Sequence, residues 1–128
     1  MSDKQAAIDL KIMKAKALLS EVDALIKLTF YATAVNRLYY ACFHATKALL
    51  LSKDIIPKTH SGVVTMLHLH FVQTGEFESK YAAFFSKLMQ QRIEEDYGDF
   101  LIVKESEVVE FIEPAKAYVA YIEKILKK

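Results

Sequence analysis

Ile8, Ile12, Ala15, Leu18, Leu19, Val22, Leu25 and Ile26 recur at steps of three and four between Asp3 and Leu28, with Lys11, Lys14, Lys16, Glu21, Asp23 and Lys27 mostly between them. That spacing predicts an amphipathic helix, and Ser2 or Asp3 can cap its start. A second helical pattern runs from about Ala32 to Ser52. Arg37 and Lys47 are its only formal charges, set among Tyr39, Tyr40, Phe43, Leu49, Leu50 and Leu51. A helix apolar nearly all round belongs in the middle of the molecule. Pro57 pushes the residue before it out of helical geometry, so a loop follows Lys53-Asp54-Ile55-Ile56.

Thr59 or Ser61 can cap a short third helix carrying Val63, Val64, Met66, Leu67, Leu69, Phe71 and Val72, which stops at Thr74-Gly75. The fourth pattern starts near Glu78, places Tyr81, Phe84, Phe85, Leu88, Met89 and Ile93 on one stripe, and reaches Tyr97, with Gly98 as its stop. A break spans roughly Gly98 to Lys104. Its Phe100-Leu101-Ile102-Val103 segment has strand-like β-branching but no partner strand, and reads as an apolar loop packed on the bundle. Ser106, with Glu107, Glu110 and Glu113 after it, opens the last helix, its acidic first turns suiting the positive end of the helix dipole. Pro114 predicts a kink or a restart, and the spacing resumes through Tyr118, Tyr121, Ile122 and Ile125. The expectation is one all-α domain over residues 1–128, an up-and-down bundle of four to five helices.

Composition sharpens this picture. At 128 residues, 53% hydrophobic, with 3 Gly and 2 Pro, the chain has the size and content of one folded core and excludes a disordered or low-complexity segment. Net charge is only +1, so no global field draws it to nucleic acid. The charge is uneven, however: residues 1–64 hold nine basic and five acidic side chains, residues 65–128 eight and eleven. Cys42 alone allows no intrachain disulfide and fits a reducing cytoplasm. Neither a basic-then-apolar leader nor a run approaching ~18 uncharged apolar residues is present, so neither secretion nor membrane spanning is expected.

Two polar constellations could carry chemistry. The first is Asn36-Arg37-Leu38-Tyr39-Tyr40-Ala41-Cys42-Phe43-His44-Ala45 on the central helix. Seven steps of ~100° return His44 to about 20° from Arg37, with Tyr40 between them on the same side. A guanidinium and an imidazole facing one groove can bind and polarise a phosphate, the imidazole acting as acid or base near neutral pH. The alternative is that Arg37 reaches a carboxylate on another helix, such as Glu94, Glu95 or Asp96, and His44 is a satisfied core histidine. The second constellation is Arg92 to Tyr97, where Asp96 follows Arg92 by four residues and can pair with it; alternatively Arg92 and Arg37 meet across the bundle and Asp96 neutralises one of them. His68 and His70, two apart, cannot share a metal on one helix, and neither zinc-ligand spacing nor a Gly-rich phosphate loop occurs, so no metal or cofactor is expected. Thr59-His60-Ser61-Gly62 can cap its helix or offer amides to an anion.

At these residues the chain resembles a HEPN domain. The matching stretches are Asn36 to Ala45, Pro57-Lys58-Thr59-His60-Ser61-Gly62, and Arg92 with Asp96-Tyr97, in that order. The resemblance implies a cytoplasmic helical bundle, a homodimer, and a nucleotidyltransferase as partner, in a prokaryotic toxin–antitoxin or defence-type system. It also implies a polar groove holding Arg37, Tyr40, His44, His60, Arg92, Asp96 and Tyr97, with a nucleotide or RNA as ligand. Catalytic members of the family are metal-independent ribonucleases that use an arginine and a histidine with four to six residues between them. Arg92 leads instead to Tyr97. Arg37 and His44 fit the spacing but stand in the earlier, tyrosine-rich motif, and the acidic side chains after Arg92 disfavour an RNA backbone. A non-catalytic binding role is therefore expected ahead of an endoribonuclease using Arg37 and His44, with a structural interaction domain lacking any ligand as the third reading.

Overall fold

The computed structural model describes residues 2–97 and 103–128, the side chains of residues 94–97 excepted. Five α-helices follow one another: α1 Asp3–Lys27, α2 Tyr31–Leu51, α3 His60–Leu67, α4 Ser79–Tyr97 and α5 Glu105–Leu126. The architecture is the expected all-α bundle, with no strand among the described residues. No helix among them is long and apolar enough to cross a membrane. The predicted stop at Gly98 and the apolar segment from Phe100 to Ile102 lie outside the described residues, while Val103 packs against the core.

The local signals act as their chemistry requires. Ser2 accepts from the Gln5 amide to start α1, and the Thr59 hydroxyl accepts from the Gly62 amide at 2.9 Å to start α3. A Cβ on Gly62 would sit 2.8 Å from that hydroxyl, so this cap needs glycine. The turn between α1 and α2 closes through Thr29 in left-handed geometry (φ 62°), with the Phe30 amide bonded to the Leu25 carbonyl. After Leu67 the chain continues in one wider, π-helical turn over residues 68–72.

Two details of α5 differ from the sequence expectation. It begins at Glu105 rather than at Ser106, and of the two alternatives at Pro114 the restart does not occur, since the helix runs on through the proline. Proline leaves the Glu110 carbonyl without its helical donor, but Pro114 and Glu110 both lie on the exposed side, where water can take that role. The opposite stripe of Val108, Phe111, Ala115, Tyr118, Val119 and Ile122 is buried and holds the helix as one piece.

Helix α2 packs against each of the other four helices. Ala34, Ala41, Ala45 and Ala48 are fully buried on it, their short side chains letting neighbouring helices come close, while Leu38, Tyr39, Leu49 and Leu50 fill the space between. Thr46 is the one buried polar residue among those described. Its hydroxyl donates to the Cys42 carbonyl at 2.7 Å and lies 2.6 Å from the Tyr118 hydroxyl, tying α2 to α5. Burial holds the Tyr118 phenol well above its ordinary pKa, so it keeps its proton and donates it to Thr46.

The direction of that bond predicts an asymmetry. Thr46→Val strands a buried Tyr118 donor and should cost about 1–3 kcal/mol. Tyr118→Phe leaves Thr46 still donating to Cys42 and should lower stability less. Urea midpoints of the two variants, compared at equal m-value, check the order.

Candidate functional site

Between Ala34 and Leu51, α2 is buried at every position except Asn36, Arg37, Tyr40, His44, Lys47 and Leu51. Five of these, from Arg37 to Leu51, follow steps of three, four, three and four. They therefore line up along one half-exposed seam of an otherwise enclosed helix. The predicted residues Arg37, Tyr40 and His44 all lie on it.

One wall of the seam comes from α1. A cavity of about 270 Å³ is lined by Lys14, Ala17, Leu18, Glu21 and His44. A second, of about 280 Å³, lies between Ala7 and Lys11 on α1, Lys47 and Leu51 on α2, and Ile55, Ile56 and Pro57 in the loop. At the Arg37 end, the Arg37 Nε meets the Glu21 carboxylate at 3.1 Å, and its Nη1 donates to the Asn36 side chain at 2.9 Å. Among the described residues the partner of Arg37 is thus a carboxylate on α1; its expected pairing with Glu94, Glu95 or Asp96 lies outside the described residues. The register of α1 against α2, which brings Glu21 into reach, is a tertiary feature that α2's own spacing does not contain.

The opposite wall is aromatic. His60, at the first position of α3, stacks on Phe43 with ring centroids 4.5 Å apart and meets the edge of Tyr40 at 5.9 Å. Its Nδ1 is 2.7 Å from the Tyr39 hydroxyl. Burial pushes the Tyr39 phenol above its ordinary range, so Tyr39 keeps its proton, and the tautomer of His60 sets which of the two groups donates. From α4, the Arg92 guanidinium lies over Tyr39 and Tyr40, 5.4 and 5.5 Å from their centroids, and donates to the Tyr40 hydroxyl at 3.3 Å. Tyr40, His60 and Arg92 are therefore one cluster, joined by Tyr39 and Phe43. His44 touches its margin, 6.3 Å from the Tyr40 centroid, and opens on the α1 side. The side chains of Asp96 and Tyr97, and with them the pairing of Arg92 with Asp96, lie outside the described residues.

Neither histidine is electrostatically disposed to take a proton. His44 is held below the ordinary imidazole pKa by burial first, then by Lys47, Lys14 and Lys11; His60 by burial, Arg92 and Lys47. Lys11 is itself lowered, by burial and by Lys47 and Lys14. The lysines and Glu21 are the residues that sequence reasoning missed. Their signal was present in the steps Lys11, Lys14, Leu18 and Glu21 along the edge of the apolar face of α1, but which helix that edge borders is decided only by packing.

These shifts fix a pH dependence. An unfolded imidazole takes its proton near pH 6.5, whereas folded His44 and His60 resist it, so the unfolded state binds more protons as pH falls. Stability should be fully present above pH 6.5 and decline below it, through the lower folded pKa values. In His44→Gln the decline between about pH 7 and pH 5 should be shallower than in the native protein, as urea midpoints across that range will report.

Comparison with known proteins gives this arrangement a context. A family model described as "HEPN domain" matches residues 9–125. The chain is 32% identical over 127 residues to a UPF0332 protein of Thermotoga maritima, covering 99% of this chain and 96% of that one. A Methanocaldococcus jannaschii protein named "Putative toxin" is 37% identical over 126 residues, covering 98% and 93% of the two chains. A second protein of that organism with the same designation is 36% identical over 96 residues, covering 75% and 65%.

Proposed function

The chain belongs to the HEPN family, and we propose that it serves as the non-catalytic binding component of a toxin–antitoxin-type system, engaging a nucleotidyltransferase-like partner as a homodimer. The observation that carries the reading is the engagement of Arg37. A ribonuclease built on Arg37 and His44 needs the guanidinium on the scissile phosphate and an imidazole that exchanges protons near neutral pH. Arg37 instead holds Glu21 and Asn36, while burial and three nearby lysines hold His44 below the ordinary imidazole pKa. The name "Putative toxin" carried by two relatives supports the toxin–antitoxin setting. Exposed Leu10, Met13, Leu28 and Phe30 give the surface apolar area suited to a second subunit.

The rival reading keeps Arg37 and His44 as a catalytic pair assembled from two protomers. Purified protein incubated with single-stranded RNA in EDTA separates the two. The expected outcome is no cleavage above that of His44→Ala. Cleavage that survives EDTA and is lost in both Arg37→Ala and His44→Ala, with helical content unchanged, would establish the enzyme.

A further inference from the structure

We propose that the α2 seam is a docking groove for an acidic, amphipathic helix of a partner protein, with Lys11, Lys14 and Lys47 receiving its carboxylates. This rests on the binding-component reading and gives the partner's chemistry. Three observations converge on it.

The first is shape. Arg37, Tyr40, His44, Lys47 and Leu51 repeat at the spacing with which one helix presents a seam to another. From Arg37 to Leu51 the seam is about 21 Å long, room for a helix of about four turns. Cavities of about 270 and 280 Å³ between this seam and α1 provide recesses for side chains.

The second is charge. The seam and its α1 wall carry Lys11, Lys14, Arg37 and Lys47 against the single carboxylate of Glu21 among the described residues. Lys11, Lys14 and Lys47 form no ion pair among those residues; Lys14 and Lys47 act on Lys11, and all three on His44, as like charges. Bringing carboxylates among them relieves that repulsion. A second copy of the same seam would oppose cation to cation, which argues against self-association through this face.

The third is the gradient along the groove. At the Leu51 end the lining turns apolar, through Ile55 and Ile56, with Ile56 73% exposed. Asp54 beside them is already held by Lys4 at 3.3 Å. A bare polyanion would leave this end uncovered, whereas an amphipathic helix covers it with apolar side chains while its acidic flank meets the lysines.

The test uses the full chain and a synthetic helical peptide of about fifteen residues, leucine along one stripe and glutamate along its flank, beside a twin with glutamine for glutamate. The glutamate peptide should bind saturably and shift the amide resonances of residues 11, 14, 44, 47 and 51. The twin should bind about tenfold more weakly, and so should the glutamate peptide to Lys14→Glu with Lys47→Gln. Lys14 is exposed, so Lys14→Glu alone should keep the native helical content and still weaken binding. Failure to saturate, equal binding of the twin, shifts outside the seam, displacement of the peptide by lower concentrations of single-stranded RNA, or a dimer that buries these residues in the free protein would each overturn the proposal. If the peptide fails while RNA stays intact, only the docking mode falls; EDTA-resistant cleavage removes the binding-component reading itself.

Discussion

The enclosure of α2 is the constraint from which the rest of the molecule follows. Four other helices cover this segment, and each polar group on it must be satisfied inside the bundle or placed where the covering is incomplete. Thr46 is satisfied inside, through Cys42 and Tyr118. Arg37, Tyr40, His44 and Lys47 all fall on the one incomplete line. The seam thus gathers the polar residues of a buried helix because that is the only place the fold leaves for them. Whatever binds this protein through α2 meets all of them together.

Much of the fold was legible in the sequence for the same reason. A helix with two charges in some twenty residues can only be central, and the amphipathic stripes on either side of it can only face inward. The caps at Ser2 and Thr59 were legible because they are local bonds. What escaped was set by the register of one helix on another. Arg37 plainly needed a carboxylate, yet Glu21 supplies it because of where α1 lies on α2, and nothing within either helix says so. Pro114 escaped differently: its penalty depends on which side of α5 it occupies, and on the exposed side the buried stripe opposite outweighs it.

The site was read correctly as a group and less well as a set of pairs. Tyr40, His60 and Arg92 do come together, but the residues that join them, Tyr39 and Phe43, look in sequence like ordinary core aromatics. Tyr39 is in fact fully buried. It reaches His60 only with its hydroxyl, a division between apolar ring and polar tip that tyrosine permits and phenylalanine does not.

The two walls of the seam differ in how their charge is held, and that difference decides where a partner can gain most. On the α3 and α4 side, Arg92 rests over Tyr39 and Tyr40, and His60 is stacked and hydrogen-bonded. Recruiting these groups would mean breaking contacts already made within the protein. On the α1 side, Lys11 and Lys47 line one recess and Lys14 lines the next beside His44, with Glu21 at one end, already engaged by Arg37. Their mutual repulsion is a standing unfavourable term that an incoming carboxylate reduces, so each new contact there adds to binding without breaking an internal one. The aromatic wall therefore supplies a rigid, preorganised face, while the lysine wall supplies the gain in electrostatic energy.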